Sequence, residues 1–337
     1  MQKILIIQTA FIGDVVLATA LVEKLAAYFP DTEIDFLVRR GNESLLLNNP
    51  HLNEVLVWNK KQNKFRNLLK MLFVIRKKNY DKVINTQRFF STGLLTAFSG
   101  AGQTIGFDKN PLSFLFRTKV KHVISNEKGI KHEVERNNDL VSDFTDDKFT
   151  RPKLYPSESD FKSVELYSRN TYVTITPGSI WFTKKWPVEK WIEVIRNFPA
   201  NYKIYLLGGK ENTAECEDLK KRAGNINTEV LAGQLSFLRS AALMKNATMN
   251  YVNDSAPLHF ASAVNGPVTA IFCSTVPAFG FTPLSDLSYI IETPEQLYCR
   301  PCGLHGYNAC PEKHFKCALT IDPARLLKTL PNPPAYV

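Results

Sequence analysis

The stretch Lys3-Ile4-Leu5-Ile6-Ile7-Gln8-Thr9-Ala10-Phe11-Ile12-Gly13-Asp14-Val15-Val16-Leu17 decides the fold. After Lys3 four apolar residues follow without alternation, the pattern of a parallel strand covered by helices on both faces. A short turn containing Gln8, Thr9 and Gly13 then opens a helix expected over Asp14–Tyr28. Strand, tight turn and helix make the first part of a βαβ unit. The same alternation continues with strands expected at Glu33–Val38, Glu54–Val57, Lys82–Asn85 and Thr104–Phe107, and helices at Phe65–Lys78 and Ser91–Phe98.

The polar segment Phe149–Ser168, with Pro152 and Pro156, reads as a linker, after which the pattern restarts. Strands are expected at Tyr172–Thr176, Lys203–Leu207, Thr228–Leu231, Thr248–Val252 and Val268–Phe272. Helices are expected at Val188–Asn197, Glu211–Ala223, Ser236–Met244, from Pro257, and at Pro323–Leu330. Pro187 suits the first helical position, where a missing N–H costs nothing. The tail Pro331–Val337 is expected to fray. The chain therefore reads as α/β, two Rossmann-like doubly wound domains over residues 1–155 and 170–320 facing across a cleft, followed by a C-terminal helix and tail over 321–337.

A length of 337 residues suits two domains. A hydrophobic fraction of 44% and a charged fraction of 22% exclude a disordered, collagen-like or coiled-coil chain. No run approaches the length a transmembrane helix needs, and the N-terminal apolar run is too short for a signal peptide. A cytoplasmic location is expected. The net charge of +10 favours anionic partners. Nine of those charges come from Lys60–Arg88, with ten basic residues against Asp81 alone, so the rest of the chain is nearly neutral. Phe65, Leu68, Leu69, Leu72 and Phe73 lie within that stretch. It reads either as a sheet-covering helix with a solvated face or as a basic amphipathic helix for an anionic membrane surface.

Three loops at strand ends carry candidate chemistry. In the first, Asp14 is either a helix cap or a carboxylate base. The loop is neither G-x-G-x-x-G nor a Walker sequence, which weighs against a nicotinamide dehydrogenase or a nucleotide hydrolase. The second is Thr176-Pro177-Gly178-Ser179-Ile180-Trp181-Phe182-Thr183-Lys184-Lys185-Trp186-Pro187. Gly178 permits a tight turn, Ser179 and Thr183 offer hydroxyls, and Lys184 or Lys185 suits a phosphate; the alternative is an exposed basic loop. The third is Asn253-Asp254-Ser255-Ala256-Pro257-Leu258-His259, a helix start whose N–H groups suit an anion or are simply capped.

Together with Leu206-Leu207-Gly208-Gly209 and Leu231-Ala232-Gly233, these motifs resemble, in order and over nearly the whole chain, glycosyltransferase family 9, which includes the heptosyltransferases of lipopolysaccharide core assembly. The resemblance implies a GT-B fold and an inverting, metal-independent transfer of a heptose-type sugar from an ADP-sugar, with ADP-heptose as donor and a phosphorylated lipid A-linked core as acceptor. It implies that Asp14 is the general base, that Lys184 meets the donor phosphates, and that Asp254, Ser255 and His259, with Ser179, bind the donor. Thr9, Lys70 and Arg88 are candidates on the acceptor side. Ala256-Pro257 departs from the family's glycine-leucine and removes one N–H from the loop; Phe11-Ile12 is bulkier than the serine-rich loop of some members. The resemblance also implies a protein peripheral to the inner face of the bacterial inner membrane, with no cofactor required.

Cys299, Cys302, Cys310 and Cys317, with His305 and His314 among them, form one C-x-x-C and two separate cysteines. The set fits a four-thiolate zinc site only partly, and a disulfide or free thiols are the other readings. Two further functions are alternatives. One is another nucleotide-sugar enzyme of the same fold, with a different sugar or an epimerase reaction. The other is a nucleic-acid-binding protein using the basic stretch and a metal at the cysteines; nucleic acid is not expected as a partner, because no stacking aromatics interleave the lysines, Tyr80 and Phe89–Phe90 being the nearest.

Overall fold

Runs of Val, Ile and Leu with helices on either side build two parallel sheets of six strands each. The computed structural model describes residues 2–126 and 129–331, so all of the tail after Pro331 lies outside the described residues. Contacts divide the chain into two units, residues 1–155 and 156–337. No helix among the described residues is long and apolar enough to cross a membrane.

In the first unit β1 (Lys3–Ile7), β2 (Glu33–Arg39), β3 (Glu54–Trp58), β4 (Lys82–Asn85), β5 (Gln103–Phe107) and β6 (Thr118–Val120) are ordered 3-2-1-4-5-6. Helix α1 (Ile12–Tyr28) follows β1, α2 (Lys64–Lys78) joins β3 to β4, and α3 (Phe90–Ala97) joins β4 to β5. A two-residue hairpin, β7 (Ser125–Asn126) and β8 (Gly129–Ile130), precedes α4 (Glu133–Asp139), which packs against α1. One face of the sheet supplies Leu5, Ile7 and Val83 to a core closed by Leu68, Met71 and Ile75 of α2. On α1, every residue from Val15 to Leu25 is buried; the ammonium of Lys24 ends on Asp146 at 2.7 Å and the Lys148 carbonyl at 2.8 Å.

The second unit repeats the order with β9 (Tyr172–Thr176), β10 (Lys203–Leu206), β11 (Thr228–Val230), β12 (Met249–Asn253), β13 (Val268–Phe272) and β14 (Ser288–Glu292), as 11-10-9-12-13-14. Around them stand α5 (Glu158–Val164), α6 (Val188–Arg196), α7 (Thr213–Ala223), α8 (Phe237–Asn246) and α9 (Ala256–Ala263), then the short α10 (Lys316–Leu319) and α11 (Ala324–Leu327). Trp186 and Trp191 meet edge to face at 5.0 Å in its core, a contact worth about 1 kcal/mol beyond the area it buries. Ala318, Ile321 and Leu326 join the same core, so the C-terminal helices belong to this unit.

Several elements differ from expectation. The supposed linker Phe149–Ser168 is not loose. Its first part is strapped to α1, with the Lys153 N–H donating to Thr19 Oγ1 and the Tyr155 hydroxyl to Glu23. Its second part is α5, nucleated by a capping box between Ser157 and Asp160 and packed on α8. The edge strands β6 and β14 and helix α4 were not anticipated. Each is short or polar: Thr118–Val120 has three residues, and Ser288–Glu292 keeps Tyr289 and Ile290 exposed. Pro187 stands one place earlier than expected, as the N-cap of α6. The last helix is shorter than read, closing at Leu327.

In both sheets the strand order reverses at the central pair, β1 and β4 in one unit and β9 and β12 in the other. In an open parallel sheet that switch point leaves a crevice at the carboxyl ends of the strands, where ligands bind.

Candidate functional site

The first unit's switch point is built from polar side chains that hold one another. Ile7 is in register with Leu37 and with Asn85, so the loops after β1 and β4 leave the sheet at one level. Gln8 donates to Thr86 Oγ1 at 2.8 Å and accepts from Gln87 Nε2 at 2.7 Å. Thr9, 2% exposed, donates through both its N–H and its hydroxyl to Gln87 Oε1. Lys60 reaches back from the loop after β3 to Thr9 Oγ1 at 2.6 Å, with its ammonium 4.6 Å from the centre of the Trp58 ring. Thr9 is thus part of the frame of the loop. Asn42 donates to the Ala10 carbonyl and Asn110 to the carbonyls of Gln87 and Phe89, closing the frame from both sides.

Asp14 is the third residue of α1. Its Oδ2 accepts the N–H of Phe11 at 3.2 Å, so the cap reading is realised in the structure. The same position leaves the carboxyl group half-buried at the mouth of the switch point. Around it the charge is positive. Burial pushes the Lys109 ammonium down to about 8, with Glu133 and Asp14 pulling the other way and Arg136 and Arg88 adding to the drop. Burial, then Arg39, likewise lowers Lys60 to about 8. Partial burial, then Lys109 and Arg136, lowers the half-buried His122 to about 4. Arg88 is exposed in the loop leading to α3, while Lys70 stands on the outer side of α2 in mid-helix. The structure gathers Asp14, Arg88 and Thr9 at one end of the sheet and leaves Lys70 out of that group.

The second unit's switch point brings the donor-side residues into contact. Lys184 closes a short 3-10 turn, Phe182–Lys184, and its Nζ lies 2.7 Å from Asp254 Oδ2. Both side chains are largely buried, at 15% and 7% exposure. The same carboxylate oxygen accepts the hydroxyl of Thr275 at 2.6 Å. Ser255 is the N-cap residue of α9 and His259 is buried one turn along it. Ser179 is partly exposed in the loop after β9. Lys185 turns to Glu215 at 3.2 Å, so of the two adjacent lysines only Lys184 points to the Asp254 loop.

Asn253 locks this arrangement. It accepts the N–H of Trp186 at 3.1 Å and donates to the Pro177 carbonyl at 2.6 Å, pinning both ends of the loop after β9 to the end of β12. The loops after β9 and β10 are also tied through Asn212, whose side chain lies where a Cβ on Gly178 or Gly208 would stand, within 2.6 and 2.7 Å. That close packing is what the glycines in the two motifs permit.

The cysteine segment backs the same turn. Thr183 exchanges two hydrogen bonds with the backbone of Tyr307, and its hydroxyl also accepts Ser274 Oγ at 3.0 Å. Phe182 stacks on Phe315 at 5.2 Å, and Trp186 Nε1 donates to the Ala318 carbonyl. Arg300 spends its guanidinium on the carbonyls of Phe272, Cys273 and Thr275 and on Glu292. No two of the cysteines are bridged among the described residues. Cys299 Sγ lies 3.8 Å from His314 Nε2. Burial, then the neighbouring thiols Cys302, Cys310 and Cys299 among other charges, pushes Cys317 up to about 12, and Cys302 is raised in the same way. Among the described residues no group of three or more His, Cys, Asp or Glu side chains is arranged to hold a metal ion. Thr275, Tyr307, Arg300, Lys109 and Gln87 escaped the sequence reading of the site. Thr183 was read as a hydroxyl of the loop, and its bonds to Tyr307 and Ser274, like the other five residues, reach the site through contacts distant in sequence.

With this geometry in place, comparison with known proteins is direct. The family model described as glycosyltransferase family 9 (heptosyltransferase) matches residues 68–306. A lipopolysaccharide heptosyltransferase 3 of Escherichia coli is 27% identical over 279 residues, covering 79% of this chain and 82% of that protein. The solved structure of the E. coli ADP-heptose LPS heptosyltransferase II superposes with a TM-score of 0.79 at 22% identity, over 98% of this chain and 97% of that one. A family 9 glycosyltransferase from Veillonella parvula gives 0.81 at 20% identity, over 97% and 96%. These two structures bear on the fold.

Proposed function

From the premise that this chain belongs to glycosyltransferase family 9, we propose that it is an inverting heptosyltransferase that takes a heptose-type sugar from an ADP-sugar and places it on a phosphorylated, lipid-linked lipopolysaccharide core. The observation that carries this reading is the family match over 68–306, a span whose motif residues Lys184, Asp254, Ser255 and His259 gather at one switch point. One relative is a lipopolysaccharide heptosyltransferase and one solved neighbour an ADP-heptose LPS heptosyltransferase, which supports the choice of sugar, nucleotide and acceptor.

In the proposed reaction an acceptor hydroxyl oxygen attacks the anomeric carbon of the donor sugar. The bond from that carbon to the terminal phosphate oxygen breaks, and ADP departs with the electron pair. Asp14 takes the hydroxyl proton. Charge grows on the leaving diphosphate, where Lys184 and the N–H groups opening α9 stabilise it without a metal. Pro257 at the second position of α9 leaves fewer such N–H groups, which puts more of the task on Lys184. Attack from the face opposite the leaving group inverts the anomeric centre. No cofactor is needed for this chemistry. The acceptor places the enzyme at the cytoplasmic side of the inner membrane.

The test is turnover of ADP-heptose with a panel of heptose-deficient core acceptors, by wild type and Asp14→Asn. Wild type should release ADP and extend one acceptor. Asp14→Asn should lose about 10²- to 10⁴-fold in kcat with donor affinity unchanged. Release of a free epimerised sugar, or turnover insensitive to Asp14→Asn, would refute the assignment.

A further inference from the structure

Helix α2 carries two apolar stripes. Leu68, Met71 and Ile75 form the inner one, packed on the sheet. The outer one is Phe65, Leu69 and Phe73, at i, i+4 and i+8, which are 84%, 63% and 69% exposed. Residues at that spacing share one helix face, so the three make a ridge about 12 Å long. A sheet-covering helix accounts for the inner stripe and leaves the outer one unexplained. Lys64, Arg66, Lys70 and Lys77 are exposed on the same helix, and none of them is ion-paired among the described residues. The helix contains no Asp or Glu. Lys78 is different, being held by Asp35 and Glu54. Next to α2, the start of α3 exposes Phe89 and Phe90 beside Arg88.

We propose that the outer face of α2 is a docking surface for an anionic lipid bilayer, with Phe65, Leu69 and Phe73 entering the acyl boundary and the flanking lysines and arginine meeting lipid phosphates. The charge pattern selects this occupant. A second copy of the chain would set the same cations against each other, whereas an anionic interface satisfies both the ridge and its flanks. In a βαβ unit the start of α2 lies at the carboxyl end of the sheet, so Phe65 sits at the end that carries Asp14. The orientation rests on the proposed glycolipid acceptor: docking by this face brings the rim with Asp14 to the surface in which that acceptor is anchored.

The experiment is flotation of the full chain with vesicles of phosphatidylglycerol and phosphatidylcholine, or of phosphatidylcholine alone, at about 0.1 M salt. Three proteins are compared: wild type, F65S/L69S/F73S and K64E/K77E. Circular dichroism verifies that each is folded. Wild type should bind the anionic vesicles about tenfold or more tightly than the neutral ones. The apolar variant should lose about tenfold or more on anionic vesicles, and the charge variant should lose its preference for them. Heptose transfer to a deacylated, water-soluble acceptor should be unchanged in the apolar variant. Wild type that ignores anionic vesicles, or an apolar variant within about twofold of it, overturns the docking surface. Self-association of wild type that the apolar substitutions abolish also overturns it, assigning the ridge to a second copy. Vesicle binding as expected without any heptose transfer leaves the docking surface standing and removes the enzymatic reading alone.

Discussion

Lys60 and Lys109 tie the first unit to alkaline pH. Both titrate near 8 in the folded protein against an ordinary 10.5, burial being the main cause in each. Between those values the unfolded chain binds more protons than the folded one, so on their account stability rises as pH climbs through that window. Function moves the other way. In the proposed reaction an anionic acceptor beside Asp14 loses two cations as pH passes about 8, and its KM should rise there while donor KM stays level. Steady-state kinetics from neutral to alkaline pH checks this, and Lys109→Arg should flatten the rise. In the second unit Lys184→Met should weaken ADP binding about tenfold or more. It also leaves the largely buried Asp254 without its cation, at a cost on the order of 3 kcal/mol. Pairing it with Asp254→Asn should restore most of the thermal stability but not the affinity. Melting and isothermal titration separate the two effects.

At the level of elements, the turn Phe182–Lys184 is placed by the segment behind it. Thr183→Val removes the hydroxyl that accepts from Tyr307 and Ser274 while keeping the volume. Donor KM should rise several-fold with the melting temperature lowered by a few degrees, and Thr183→Ser should recover both. Asn253→Ala should be harsher, since it strands the Trp186 N–H and the Pro177 carbonyl inside the protein, costing about 2–4 kcal/mol. The sequence announced these loops but not their supports. The strands Lys3–Ile7, Lys82–Asn85, Tyr172–Thr176 and Val268–Phe272 were legible because central parallel strands are apolar on both faces. Strand β14 was not, because at the edge of the sheet Tyr289 and Ile290 face solvent and the apolar run is only three residues long. The Lys184–Asp254 pair joins motifs seventy residues apart that were each visible alone. Thr275 and Tyr307 carry no local signal, since a threonine or tyrosine acquires its role only from what folds against it.

For the whole molecule, the charge is one local field rather than a general coat. Of the net +10, nine charges lie in Lys60–Arg88. Within that stretch the structure divides them. Lys78 is neutralised by Asp35 and Glu54, Lys82 is bonded to Gln103, and Lys60 is turned inward to Thr9. Lys64, Arg66, Lys70 and Lys77 remain on the surface of α2. Association with anionic vesicles should therefore fall steeply as salt rises from about 0.05 to 0.5 M, while ADP affinity changes much less. Parallel measurements of flotation and nucleotide binding across that range test it. Equal salt slopes would mean that the surface field governs both.

The contact between Lys184 and Asp254 also bears on which nucleotides are admitted. The lysine's charge is answered by a carboxylate 2.7 Å away, so an incoming anion competes rather than merely arrives. A ligand with a single phosphate offers little over Asp254, whereas a diphosphate brings enough negative charge to draw the ammonium away. The pair then works as a threshold: ADP should bind at least tenfold more tightly than AMP, and Asp254→Asn should narrow that gap by letting AMP in.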